Sequence, residues 1–153
     1  MNRKLRAYTK RNLRNSLFNN LLSRISITIW FIIINVISFI IISVLFAINK
    51  NYLDYLALRP DYVLQGKYLW TFFTSIFTHA SFAHLFFNMF SLFFIGSFVE
   101  KVIGRKRFIW FYIIAGLVGG LFFAILAGFL GGSGIWTKLF GDPNIAGVGA
   151  SGA

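Results

Sequence analysis

Three long apolar runs divide the chain. The first covers residues 25–48 without a charged side chain, the second covers 82–99, and the third covers 108–130. A helix needs about 20 apolar residues to cross a bilayer. The pattern therefore predicts an all-α, polytopic transmembrane helical bundle with three full spans. A fourth apolar segment starts near Ile145, and its nine residues predict only the start of another span.

The stretch between the first two runs has a different character. Residues 49–67 are polar and aromatic, and residues 70–77 are apolar again but too short to cross a bilayer. This length predicts an interfacial segment or one that dips into the membrane. Aromatic side chains that suit the headgroup region occur at Tyr55, Tyr62, Tyr68 and Trp70.

Composition supports a membrane protein. Apolar residues make up 58% of the 153 residues and charged residues only 12%, whereas soluble domains carry about 25% charged residues. The chain has no cysteine, which excludes disulfides and thiol nucleophiles. We expect two parts, a basic N-terminal segment at 1–24 and one membrane domain at 25–153.

The formal net charge is +11, and most of the basic residues lie next to the apolar runs. Seven basic residues precede the first run, four lie at 101–107, three lie between the first two runs and one follows the third. Basic clusters beside spans indicate the cytoplasmic side and contact with anionic lipid. We therefore expect an integral protein of the cell membrane with a cytoplasmic N-terminus and no nucleic-acid partner. Segment 1–24 is either a helix on the inner surface or disordered.

Small residues recur at four-residue spacing in the third run, at Gly116, Gly120, Ala124 and Gly128. Lipid supplies no hydrophobic drive for helix association, so such stripes let helices approach closely. The stripe predicts the close packing of another helix.

His84 and Asn88 are polar residues near the start of the second run. Their spacing of four places both side chains on one helical face, and both carry hydrogen-bond donors. They are either donors for an oxyanion or polar contacts between helices. His79, five residues before His84, is expected off that face. No carboxylate accompanies the histidines, so we expect no metal site.

Ser151 lies among Gly147, Gly149 and Gly152 at the start of the fourth segment. Glycines permit close backbone approach, and a helix start offers free N–H groups, which suits a nucleophile. Ordinary helix packing is the alternative. The predicted topology places Ser151 at the depth of His84 and Asn88, near the outer surface, so we expect one hydrated pocket. The chain's two histidines are its only candidate bases.

These residues resemble a known family. Residues 78–89, with the sequence THASFAHLFFNM, resemble the second transmembrane helix of rhomboid intramembrane serine proteases. Residues 149–152 resemble the family's Gly-x-Ser-Gly motif at the start of the fourth helix. The resemblance implies a protease that cleaves transmembrane protein substrates with a serine–histidine dyad and no cofactor. Ser151 would be the nucleophile, and His84, Asn88 and Gly149 would line the oxyanion site.

The sequence departs from the family pattern at two points. The family's first loop often carries Trp-Arg, whereas Trp70 is followed by Thr71 here. The family's dyad histidine lies on a sixth helix, and no histidine follows Ser151. We therefore expect an N-terminal fragment that is inactive alone. A proteolytically inactive, rhomboid-like protein that binds membrane clients is the alternative, and a small scaffold or transporter half is a weaker one. The sequence does not determine the oligomeric state.

Overall fold

The computed structural model describes residues 25–130 and 147–149. The expected segment 1–24 and Ser151 lie outside the described residues. Three helices are long and apolar enough to cross a membrane, at Ile27–Ile48, Phe82–Ile103 and Arg105–Phe129. We call them the first, second and third spans. The chain is an integral membrane protein of the all-α class, and the predicted three spans are confirmed.

The helices of the second and third spans are longer than the apolar runs that predicted them. The second continues through Glu100 and Lys101 to Ile103, and the third begins at Arg105. Charged side chains at the ends of a span reach the interface while the backbone stays helical. Hydropathy therefore marks the hydrocarbon-facing part of each helix and misses its interfacial turns.

The second span is not a uniform α-helix. Its α-helical turns at Phe82–Ser91 and Ser97–Ile103 are separated by a π-helical turn at Leu92–Gly96. Gly96 is packed closely here, because an added Cβ would lie 3.3 Å from Phe108 Cζ and 3.4 Å from Thr28 Cγ2. The turn therefore lies where the three spans come together.

An aromatic core and one buried polar contact join the spans. Phe31 stacks on Tyr112 with ring centroids 4.2 Å apart, and both are buried together with Ile76 and Phe108. Asn35 is fully buried in the first span, and its Nδ2 donates to the Phe31 carbonyl at 2.8 Å and to the Tyr112 hydroxyl at 3.3 Å. This bond links the first and third spans, as polar side chains between membrane helices commonly do.

The connector between the first two spans is folded into short helices at Pro60–Leu64, Thr71–Thr74 and Ser75–Phe77. Side-chain donors hold it to its own backbone. Trp70 Nε1 donates to the Tyr55 carbonyl at 2.9 Å, and Thr74 Oγ1 donates to the Leu56 carbonyl at 2.8 Å. The loop is thus anchored although threonine follows Trp70.

The glycine stripe of the third span faces this connector. A Cβ at Gly116 would lie 2.7 Å from Ile76 Cδ1, and one at Gly128 would lie 2.5 Å from Leu64 Cδ1. Among the described residues, the stripe therefore packs against the short helices of the connector. Small-residue spacing indicates a close approach without identifying what approaches.

Residues 147–149 pack on the same connector. Gly147 and Leu58 form an isolated antiparallel bridge, with N···O distances of 3.0 and 2.7 Å. The Gly149 N–H donates to the Ser75 carbonyl at 2.9 Å. None of these three residues is helical. The remainder of that segment lies outside the described residues.

Candidate active site

The start of the second span positions the two predicted polar residues. Ser81 has an extended backbone and is the N-cap, and its side-chain oxygen accepts from the His84 N–H at 3.2 Å. Serine is a preferred N-cap because its oxygen satisfies a free N–H of the first turn. The helix that begins at Phe82 carries His84 and Asn88 one turn apart on the same face.

Gly149 lies directly against this face. Its φ is +103°, a backbone conformation that side chains rarely adopt. An added Cβ would lie 2.7 Å from both Cε1 and Nε2 of His84 and 2.9 Å from Asn88 Nδ2. A side chain at this position would be strained by the backbone conformation and would crowd His84 and Asn88. The structure thus brings three of the four predicted site residues together.

Ser151 follows Gly149 by two positions. Its own placement is outside the described residues, and its role stays a prediction. The Gly149 N–H is already donated to Ser75, so Gly149 contributes shape to the site more than a donor.

Asn88 carries an unused hydrogen-bond donor. Its Nδ2 is buried and has no hydrogen-bond partner among the residues described, although the side chain as a whole is 9% exposed. An unpaired buried amide N–H costs free energy, so such groups are uncommon in folded proteins. A donor held free beside Gly149 is suited to an incoming oxygen atom.

His79 is a neighbour that sequence reasoning missed. Its side chain is 3% exposed, and its ring centroid lies 5.4 Å from that of His84 in an edge-on contact. The helix begins only at Phe82, so helical periodicity does not apply to residue 79 and the expectation that it points away from His84 was wrong. A histidine close before an N-cap serine would have been the available signal.

The surroundings of His79 keep it neutral. Burial disfavours the charged ring, and electrostatic interaction with the nearby His84 disfavours it further, so the pKa of His79 is lowered from 6.5 to about 4. The Phe77 backbone offsets part of this shift. Neither ring nitrogen meets hydrogen-bond geometry with another described group.

A small cleft of about 110 Å³ lies beside His79. It is lined by Ser43 and apolar residues of the first span and by Ala80. This volume and its two polar neighbours are sufficient for water. Among residues 25–130 and 147–149, no group of three or more potential metal ligands occurs.

Parts of this sequence are similar to known proteins. The sequence profile of the rhomboid domain matches residues 66–153, more than half of the chain. A Bacillus subtilis (strain 168) protein named "Putative rhomboid protease YdcA" is 36% identical over 59 residues, which is 39% of this chain and 29% of that protein. "Rhomboid protease GluP" of the same organism is 37% identical over 59 residues, 39% of this chain and 11% of its own length. The chain therefore matches less than a third of either relative.

Proposed function

The chain belongs to the rhomboid family, and from that premise we propose that it forms part of an intramembrane serine endopeptidase that cleaves transmembrane proteins. Ser151 is the proposed nucleophile. Asn88 and His84 are proposed to stabilise the oxyanion, and Gly149 to keep the space between them and the nucleophile open.

One observation carries the proposal. The close packing of Gly149 on His84 and Asn88 puts the segment that leads to Ser151 beside two side-chain donors. The free Asn88 Nδ2 supports the same reading. Polar contact between helices, the alternative reading, would use that donor on a neighbouring helix, and none of the described helices accepts from it.

The proposed chemistry is acyl transfer. The Ser151 Oγ attacks the carbonyl carbon of the scissile bond while a histidine base takes its proton. The developing oxyanion receives hydrogen bonds from Asn88 Nδ2 and from a ring N–H of His84. The protonated base then gives its proton to the leaving amine, and water hydrolyses the acyl-enzyme.

The general base is assigned to neither histidine of this sequence. We propose that His84 donates to the oxyanion. The His79 ring contacts His84, and its pKa is lowered. The family resemblance implies a base on a sixth helix. We therefore propose that the 153 residues alone show no appreciable serine-dependent proteolysis.

The proposed orientation places the site at the outer side. Exposed basic residues lie at Lys101 and at 105–107, at the end of the bundle opposite His84. Seven more precede the first span. The positive-inside rule then places both clusters in the cytoplasm, and the site opens toward the outer surface of the cell membrane.

The test uses the full-length product of the source gene, reconstituted in proteoliposomes with a single-span substrate. Ser151→Ala is expected to abolish cleavage. Asn88→Ala is expected to lower kcat about 100-fold or more, because one oxyanion donor is lost. Asn51→Ala, in the exposed connector, is the matched control and should retain full activity.

Two results would contradict the proposal. Cleavage that survives Ser151→Ala would exclude the serine mechanism. Absence of any cleavage, combined with retention of a membrane client that Asn88→Ala releases, would favour the inactive client-binding protein instead.

A further inference from the structure

A second pocket lies at the opposite end of the bundle from the candidate active site. It encloses about 580 Å³ between the start of the first span and the end of the second. Its polar rim includes Ser26, Ser97, Lys101 and Arg105, and its apolar wall includes Phe94 and Phe98. Nothing in the proposed protease mechanism uses this pocket.

The charge of the rim is positive. Glu100 also lines the pocket. Its two carboxylate oxygens accept hydrogen bonds from Ile27 and Thr28 at 2.7–2.8 Å, so donors of the first span partly compensate its negative charge. Arg105 Nη2 donates to the Ile25 carbonyl at 2.8 Å, and its Nε lies 3.9 Å from Glu100. Lys101 adds an exposed ammonium group. The rim therefore favours an anion.

The deeper part of the pocket favours hydrocarbon. Phe94 precedes Gly104 by ten residues, which corresponds to about 15 Å along a helix. The side chains of Phe94 and Phe98 are 57% and 68% exposed. The pocket is thus cationic at the interface and aromatic towards the membrane interior, which is the polarity of an anionic phospholipid.

We propose that this pocket binds one anionic phospholipid from the surrounding leaflet. The phosphate lies at the Lys101 and Arg105 end, and an acyl chain lies along Phe94 and Phe98. Basic pockets between spanning helices are known to bind anionic headgroups, and the volume suits a headgroup with part of a chain. The bound lipid would join the ends of the first and second spans.

Native mass spectrometry of the purified 153-residue chain tests the site. The chain is supplied with equal amounts of phosphatidylglycerol and phosphatidylcholine in detergent, and one phosphatidylglycerol is expected to remain bound in preference. Lys101→Gln should weaken this binding about fivefold. Ser97→Phe, which fills the pocket without changing charge, should weaken it comparably. Lys67→Gln removes one exposed charge from the connector and should have no effect.

Each other outcome overturns the proposal. Equal retention of the two lipids would show that the rim does not select an anion. A loss in Lys101→Gln without a loss in Ser97→Phe would assign the binding to the surface charge and not to the pocket. Equal losses in Lys101→Gln and Lys67→Gln would show unspecific attraction. Unchanged far-UV circular dichroism is required of every variant, and Lys101→Gln, at an exposed position, decides the result if Ser97→Phe misfolds.

Discussion

At one end of the bundle, Glu100 is 7% exposed and accepts hydrogen bonds from two backbone N–H groups and one hydroxyl of the first span. At the other end, the Asn88 Nδ2 and both ring nitrogens of His79 are buried without a partner among the described residues. Both ends bury polar groups in a protein that faces lipid. The satisfied end holds the spans together, whereas the unsatisfied end is the one that we propose to receive the substrate.

The largest stability effect is expected at the satisfied end. Glu100→Ala leaves the Thr28 hydroxyl and two N–H groups unpaired, so the free energy of unfolding should fall by about 3 kcal/mol. Glu100→Gln keeps an acceptor and should cost less. Unfolding in mixed micelles at increasing SDS fraction measures both. Equal stability of Glu100→Ala and wild type would remove the contrast between the two ends.

At the unsatisfied end, Gly149→Ala should disturb function more than stability. The new Cβ would push against His84 and Asn88, and a displacement of about 1 Å can cost 100-fold in rate. Gly66→Ala is the matched control, because Gly66 also has positive φ but no atom within 4 Å of the added Cβ. It should cost about 1 kcal/mol of stability without affecting cleavage by the full-length gene product. Equal activities would mean that crowding at His84 is harmless.

The contact between connector and third span should give an intermediate effect. Gly116→Ala pushes a Cβ against Ile76 and should cost about 1–2 kcal/mol of stability. Ile76→Val removes the Cδ1 methyl that lies closest and should restore part of the loss. A double-mutant cycle measures the coupling. Strict additivity of the two changes would argue against this packing.

The last effect emerges only below neutral pH. The pKa of His79 is about 4 in the folded protein and 6.5 in the unfolded chain. Between these pH values, the His79 side chain is protonated in the unfolded chain and neutral in the folded protein. Folding stability should therefore fall as pH decreases from about 6.5 to about 4. His79→Gln should have a shallower decline over this window in the same SDS unfolding assay. Parallel pH curves would show that His79 is not held neutral.

The sequence predicted the features that depend on local pattern. Apolar runs located the three spans because each spanning helix needs its own apolar stretch long enough to cross the bilayer. The spacing of His84 and Asn88 placed them on one face because the helix extends through both. The Gly-x-Ser-Gly resemblance directed attention to Gly149, which the structure places beside them.

Features that depend on distant partners were not predictable in this way. Glu100 meets Thr28 across 72 positions of sequence, and nothing near either residue identifies the other. The glycine stripe indicated a close neighbour, and only the fold shows that the connector fills it. His79 was misplaced because the helix start at Phe82 interrupts the periodicity used for the prediction.

The π-helical turn at Leu92–Gly96 has a consequence for how the second span can evolve. Such a turn holds one residue more than an α-turn, which offsets the two halves of the helix by about 100°. The half with Asn88 and the half with Glu100 therefore present their side chains to different neighbours within one continuous helix. Selection on chemistry and selection on assembly can act on separate stretches of the same helix.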